Sequence, residues 1–176
     1  GSIDTDGQGT LLTTTQCLLN PNRNGLDPRA LEQRLRETLG ITQFLWLRHG
    51  HLAGDDTDSH IDTLARFSDP RTIIYQGCAD PADLHYEPLR AMAEELQAYR
   101  TVDGEPYRLI ELPLPAARYD EEGQRLPAGY ANFLILNDAV LVPTYDDPLD
   151  RVALERLGDC FPGREVIGIP CATLIR

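Results

Sequence analysis

The chain has 176 residues, enough for one well-filled core. Its formal charge is −12 and all 16 of its basic residues are arginine, a balance that argues against nucleic acid, which needs basic patches, and suits either solubility or the approach of a small cation. No apolar run nears the ~20 residues of a bilayer-spanning helix and no secretory-type run opens the chain, so a cytoplasmic protein without a membrane partner is expected.

In chain order, Asp6-Gly7 is a hairpin turn signal between strands at residues 2–5 and 10–14. Residues 20–25 carry plain loop chemistry. Asp27-Pro28 is an N-cap followed by Pro at the first helical position, Leu31, Leu35 and Leu39 recur at helical spacing, and Gly40 ends the helix. Residues 44–47 read as a buried strand. A polar segment at 50–62 follows, expected to lead into a helix. Residues 72–76 form a strand, and a helix starts near Tyr86 with Leu89, Met92, Ala93, Leu96 and Tyr99 on its inner face. Asp103-Gly104 turns the chain into a strand at 107–112. Residues 113–129 are a long Pro-rich loop, of the length usually reserved for function or mobility. Strands at 130–136 and 139–143 flank Asn137-Asp138, Asp147-Pro148 starts a helix carrying Val152, Ala153, Leu157 and Phe161, and 165–169 is a closing strand. The first and last parts are thus two copies of hairpin–helix–strand, a repeated supersecondary unit, with a less regular third unit between them.

The 50–62 segment holds Asp55, Asp56, Asp58 and Asp62 with His51 and His60. Such a loop after a strand is where α/β proteins keep their chemistry. Mid-helix, His60 and Asp62 would lie roughly 200° apart, whereas in extended backbone they share one side. Placed before or at the first helical turn they can cooperate, the nearby carboxylates favouring an imidazolium fit for acid/base work. The same acids can clamp a planar cation by paired N–H bonds. Two other readings stay open. Ser59-His60-Ile61-Asp62 fits a capping box, the remaining acids serving only the helix dipole. The alternating Asp56, Asp58, His60 and Asp62 suggest a metal, but the loop lacks the central Gly and final Glu of an EF-hand and the His or Cys of a zinc site, so no metal is assigned. Cys17, Cys78, Cys160 and Cys171 show no zinc or redox spacing and read as structural, buried thiols.

The segment Gly54-Asp55-Asp56-Thr57-Asp58-Ser59-His60-Ile61-Asp62, followed by Ala65-Arg66-Phe67, resembles the signature of the agmatine deiminases, within the bacterial-type peptidyl-arginine deiminase family of guanidine-modifying enzymes. The resemblance extends to Gly1-Ser2-Ile3-Asp4-Thr5-Asp6-Gly7, to Cys17-Leu18-Leu19-Asn20-Pro21-Asn22-Arg23-Asn24 and to Leu126-Pro127-Ala128-Gly129-Tyr130-Ala131-Asn132-Phe133, and covers essentially the whole chain. Ser59 departs from it, since many members carry Gly there.

The resemblance implies an α/β propeller of five pseudo-repeated units, about three of them in this chain. It implies a hydrolase that converts agmatine and water to N-carbamoylputrescine and ammonia, a step of putrescine and polyamine biosynthesis, through a covalent cysteine intermediate and without cofactor. It assigns His60 as acid and base, Asp62 to the guanidinium, and Asp56 to the distal amine. It places the nucleophile in a Gly-rich segment ending in His-Cys that this chain lacks, so the chain reads as an internal, inactive piece of one catalytic domain. Homo-oligomers and self-association through unpaired strand edges are compatible with this reading. The rivals are a peptidyl-arginine deiminase with an open cleft and a non-catalytic acidic module that binds a cation or a basic partner.

Overall fold

The computed structural model describes residues 1–23 and 25–175; Asn24, read above as part of a loop motif, and Arg176 lie outside the described residues. Three sheets of three strands follow one another. The first is β1 (Ile3–Thr5), β2 (Thr10–Thr14) and β3 (Gln43–Leu47), with the short helix α1 (Thr15–Leu18) and α2 (Pro28–Leu39) between the last two strands. The second is β4 (Ala65–Asp69), β5 (Thr72–Gln76) and β6 (Arg108–Leu112), with α3 (Tyr86–Ala98) before β6. The third is β7 (Leu134–Ile135), β8 (Ala139–Thr144) and β9 (Glu165–Pro170), with α4 (Pro148–Cys160) before β9. In every sheet the first two strands pair antiparallel and the last two parallel. A parallel pair needs a long crossover, which is what each helix supplies.

The chain is therefore an α/β protein with three like units and small mixed sheets. The middle unit is as regular as its neighbours, contrary to the sequence reading. Its first strand was missed because β4 begins one 3-10 turn (Ile61–Thr63) after His60, where a helix had been expected. The hairpin turn into β5 is held by the Asp69 side chain, which accepts from the Arg71 N–H at 2.8 Å.

The caps behave as their sequences predict. Asp27 accepts from the Ala30 N–H, and Gly40 closes α2 in the left-handed region at φ 69°. Asp147 and Asp150 form a reciprocal capping box on α4. β7 is shorter than the expected 130–136. The Tyr130 N–H donates to Gln76 Oε1 at 2.9 Å, so a side chain takes the amide with which the longer strand would begin.

Two apolar clusters fill the interior. One joins Leu12, Leu45 and Leu47 to Phe67, Ile73 and the inner face of α3. The other joins Ile74, Leu112, Tyr130 and Phe133 to Val140, Val142 and α4. Helix α3 packs on β3 of the preceding unit, and α4 packs on β6 as well as on its own β9. Helices α3 and α4 thus each close the unit before their own, and the leading segments of the second and third units lie against the unit before. Among the described residues, no helix is long and apolar enough to cross a membrane.

Candidate active site

The 50–62 segment runs from the end of β3 to the 3-10 turn, and its own side chains build it. Asp55 Oδ1 accepts from the Thr57 N–H at 3.1 Å and from the Thr57 hydroxyl, while Oδ2 accepts from the Ser59 N–H at 3.0 Å. Asp58 and Ser59 both sit at positive φ, 63° and 59°. A glycine adopts that backbone without cost, which accounts for small residues at position 59. Ser59 is therefore no N-cap: its amide goes to Asp55, its hydroxyl donates to Gln16 Oε1 at 3.2 Å, and the turn that follows has His60 in the cap position without a side-chain cap bond. The capping-box reading fails because the left-handed backbone at Ser59 replaces the extended backbone an N-cap requires.

The buried Thr14, at the end of β2, donates its hydroxyl to the Ser59 carbonyl at 2.7 Å. That bond fixes the residue before His60 to the first sheet. The His60 N–H donates to the Thr57 hydroxyl at 3.3 Å, and the Thr63 hydroxyl donates to the His60 carbonyl at 2.9 Å. The ring and the acid two positions on come together: His60 Nδ1 and Asp62 Oδ1 are 4.0 Å apart, with side chains 22% and 27% exposed. Both stand over Gly1, whose carbonyl accepts the Asp62 N–H at 3.3 Å; a Cβ at Gly1 would overlap both. On the other side of the ring, Arg23 Nη2 lies 3.4 Å from His60 Nε2, 2.8 Å from the Thr57 carbonyl and 3.6 Å from Asp58.

The four acids thus separate by role. Asp55 shapes the loop, Asp58 faces Arg23, and Asp62 faces His60. Asp56 is exposed, has no hydrogen-bond or ionic partner among the described residues, and lines a cavity of about 310 Å³. Thr57, Thr63, Asn132, Tyr145 and Cys171 share that wall; His60 and Asp62 do not. Asn132 was not singled out from the sequence, although its spacing from Tyr130 repeats that of Asp62 from His60 at the start of the following unit. Among the described residues, no three His, Cys, Asp or Glu side chains converge as a metal requires.

The cysteines follow the structural reading in part. Cys17 and Cys160 are buried, while Cys78 and Cys171 are half-buried and Cys171 reaches the cavity. Burial pushes the thiols of Cys17, Cys78 and Cys160 up, the opposite of an activated nucleophile.

A family model described as Porphyromonas-type peptidyl-arginine deiminase matches residues 1–176. The chain belongs to this family. Within it, the chain is 36% identical to a protein of Yersinia pestis named "Putative agmatine deiminase", with 99% of this chain and 52% of that protein covered. A solved structure from Porphyromonas gingivalis named "Putative Arginine Deiminase" is 59% identical, with a TM-score of 0.96 over 99% of this chain and 51% of that one. The C. jejuni C315S agmatine deiminase with substrate bound is 45% identical, with a TM-score of 0.93 over 100% of this chain and 51% of that one. The chain spans about half the length of the curated relatives it matches. The resemblance read from the 50–62 motif and its companions is thus to the right family.

Proposed function

We propose that this chain carries the acid/base and guanidinium-binding part of an agmatine deiminase. The observation that supports it most is the pairing of His60 with Asp62 at 4.0 Å, half-buried and at the end of a strand-led loop. A guanidinium is resonance-stabilised and a poor electrophile, so hydrolysis needs a carboxylate to hold it flat and a placed acid to release the amine. Asp62 takes the guanidinium N–H groups, and Asp56, unpartnered on the neighbouring wall, takes the distal ammonium.

The nucleophile is a cysteine thiolate from a Gly-rich His-Cys segment outside these 176 residues. The thiolate bonds to the guanidinium carbon, and the C–N bond breaks as His60 gives its proton to the departing ammonia. An S-linked amidino intermediate remains. His60 then takes a proton from water as that water attacks the same carbon; the C–S bond breaks, the thiolate is restored, the remaining hydroxyl proton passes to solvent, and N-carbamoylputrescine leaves. In this reading the three units are part of a five-unit propeller, a view supported by the way α3 and α4 each pack on the last strand of the unit before. The 176 residues alone are inactive, and the complete protein works in the cytoplasm.

The second reading is deimination of arginine in peptides, favoured by the description of the family model and by 53% identity to a solved structure named "putative peptidyl-arginine deiminase", against 45% to the C. jejuni agmatine deiminase. Both readings use His60 and Asp62; only the amine reading uses Asp56. Turnover of agmatine and of a peptide with a blocked internal arginine by the full-length protein decides between them. Ammonia release from agmatine alone supports the first reading, and release from the peptide alone overturns it.

A further inference from the structure

The His85 ring is 2% exposed, and both of its nitrogens have partners. The Ala53 N–H donates to Nε2 at 2.8 Å, so Nε2 must present its lone pair. The proton is then on Nδ1, which donates to Asp83 Oδ1 at 2.7 Å. The other Asp83 oxygen accepts from Arg125 Nη2 at 3.0 Å. The backbone of Arg125 lies directly against Gly54, one residue beyond Ala53, where a Cβ would overlap the Arg125 carbonyl oxygen. One neutral imidazole therefore joins three segments: the turn before α3, the 50–62 loop and the 113–129 loop.

We propose that His85 is a positioning residue for the 50–62 loop: as the neutral Nδ1–H tautomer it links the Asp83 carboxylate to the Ala53 amide and so fixes the wall that presents Asp56. Only the role of Asp56 in that statement rests on the agmatine reading; the positioning itself stands on geometry.

A second proton on the ring would aim an Nε2–H at the Ala53 N–H, two donors face to face, and the link would open. The groups around the ring set how readily that happens. Burial opposes the charged ring, Asp83 favours it, and Arg125 and the His51 ring, whose centroid is 6.1 Å away, oppose it; the balance lowers the His85 pKa. For Asp83, burial pushes upward, but the His85 N–H, the Arg125 guanidinium and the His85 ring together hold the carboxyl below its usual range. A carboxylate and a neutral imidazole are the states the link needs.

The test is made on the full chain. Imidazole nitrogen shifts at neutral pH should identify His85 as the Nδ1–H tautomer; an Nε2–H tautomer overturns the proposal without any variant. Hydrogen exchange read by peptide should then separate positioning from general packing. His85→Phe keeps the bulk and loses the acceptor. It should speed exchange in the 50–62 peptide by about tenfold, the scale of one lost backbone hydrogen bond. His85→Gln keeps an acceptor within reach of Ala53 and should stay within about threefold of the parent. Peptides from β5 and α3 should be unchanged in both. In the parent protein, 50–62 exchange corrected for intrinsic rate should rise between pH 7 and pH 5, and in His85→Phe it should not. Equal protection of 50–62 in parent and His85→Phe, or loosening spread evenly over β5 and α3, overturns the proposal. These readouts do not involve agmatine, so their failure is distinct from failure of the proposed activity.

Discussion

Asp4 on β1 and Arg66 on β4 meet at 2.9 Å across the boundary between the first two units, and the second Asp4 oxygen takes the Phe67 N–H at 2.7 Å. Arg66 also donates to the Phe133 carbonyl at 2.9 Å and lies 5.0 Å from the centre of the Phe133 ring. One guanidinium therefore ties all three units, with Arg66 and Asp4 side chains only 17% and 14% exposed. Asp4→Asn keeps the shape and removes the charge. It should destabilise the fold by about 1.5–3 kcal/mol, the range for hydrogen bonds to charged groups. Arg66→Lys should cost at least as much, because a lysine cannot reach Asp4 and the Phe133 carbonyl through one planar fork. Urea midpoints measure both. A loss near zero for either would mean that the units hold together by apolar packing alone.

Gly54 offers a sharper test of how the two loops meet. Its φ is 87°, a backbone that side chains rarely adopt, and an added Cβ would overlap the Arg125 carbonyl and crowd Pro127 at 3.0 Å. Gly54→Ala therefore meets strain and a clash with backbone together, and should cost about 2 kcal/mol or more. The damage should concentrate in 50–62 and 113–129 and be visible as faster exchange there. An alanine variant as stable as the parent would show that the loops can part without cost.

Much of this was legible in the residues. Asp6-Gly7, Asp27-Pro28, Gly40 and Asp147-Pro148 are local signals whose physics acts within four residues, and each marks the element it predicts. The pairing of His60 with Asp62 was readable because extended backbone and a first turn leave two such side chains on one side. The misses share a cause: each turns on specific side-chain partners, at least one of them far along the chain, which local propensity does not reveal. β4 was lost because the Ser59 backbone is set by Asp55 and Thr14, not by its own propensity. The short β7 depends on Gln76, 54 residues before Tyr130. His85 precedes a helix and has Asp83 two residues away, but nothing local says that the Ala53 amide, 32 residues earlier, will take its other ring nitrogen.

The proposed roles at the site separate by kinetics in the full-length protein. His60→Gln should lower kcat for agmatine by about 10²–10⁴, the usual contribution of one acid/base group. Asp62→Asn should lower kcat/KM at least as far, since a guanidinium held by one fewer charge is both bound and oriented less well. Asp56→Asn should act differently, raising KM for agmatine with a smaller change in kcat, because the distal amine takes no part in bond making. Ammonia release under saturating and limiting agmatine measures each. An Asp56→Asn enzyme with unchanged KM would remove Asp56 from the substrate and strengthen the peptidyl-arginine reading.

Acid should loosen the protein through His85 before it reaches the carboxylates. The folded-state pKa of His85 lies below the ordinary 6.5, with burial the leading cause, so the unfolded chain binds this proton more readily than the folded one. The neutral ring therefore adds stability that is fully present above pH 6.5 and is lost as the pH falls from there through the depressed folded value. Asp83 follows at lower pH, because its carboxyl also titrates below its ordinary 3.8 in the fold. The thermal midpoint of the parent should drop between pH 7.5 and pH 5. His85→Gln, which cannot titrate, should start lower at pH 7.5 and fall less over the same interval. Parallel drops in the two proteins would mean that another group carries the acid sensitivity, and that the Ala53 link survives with the ring charged.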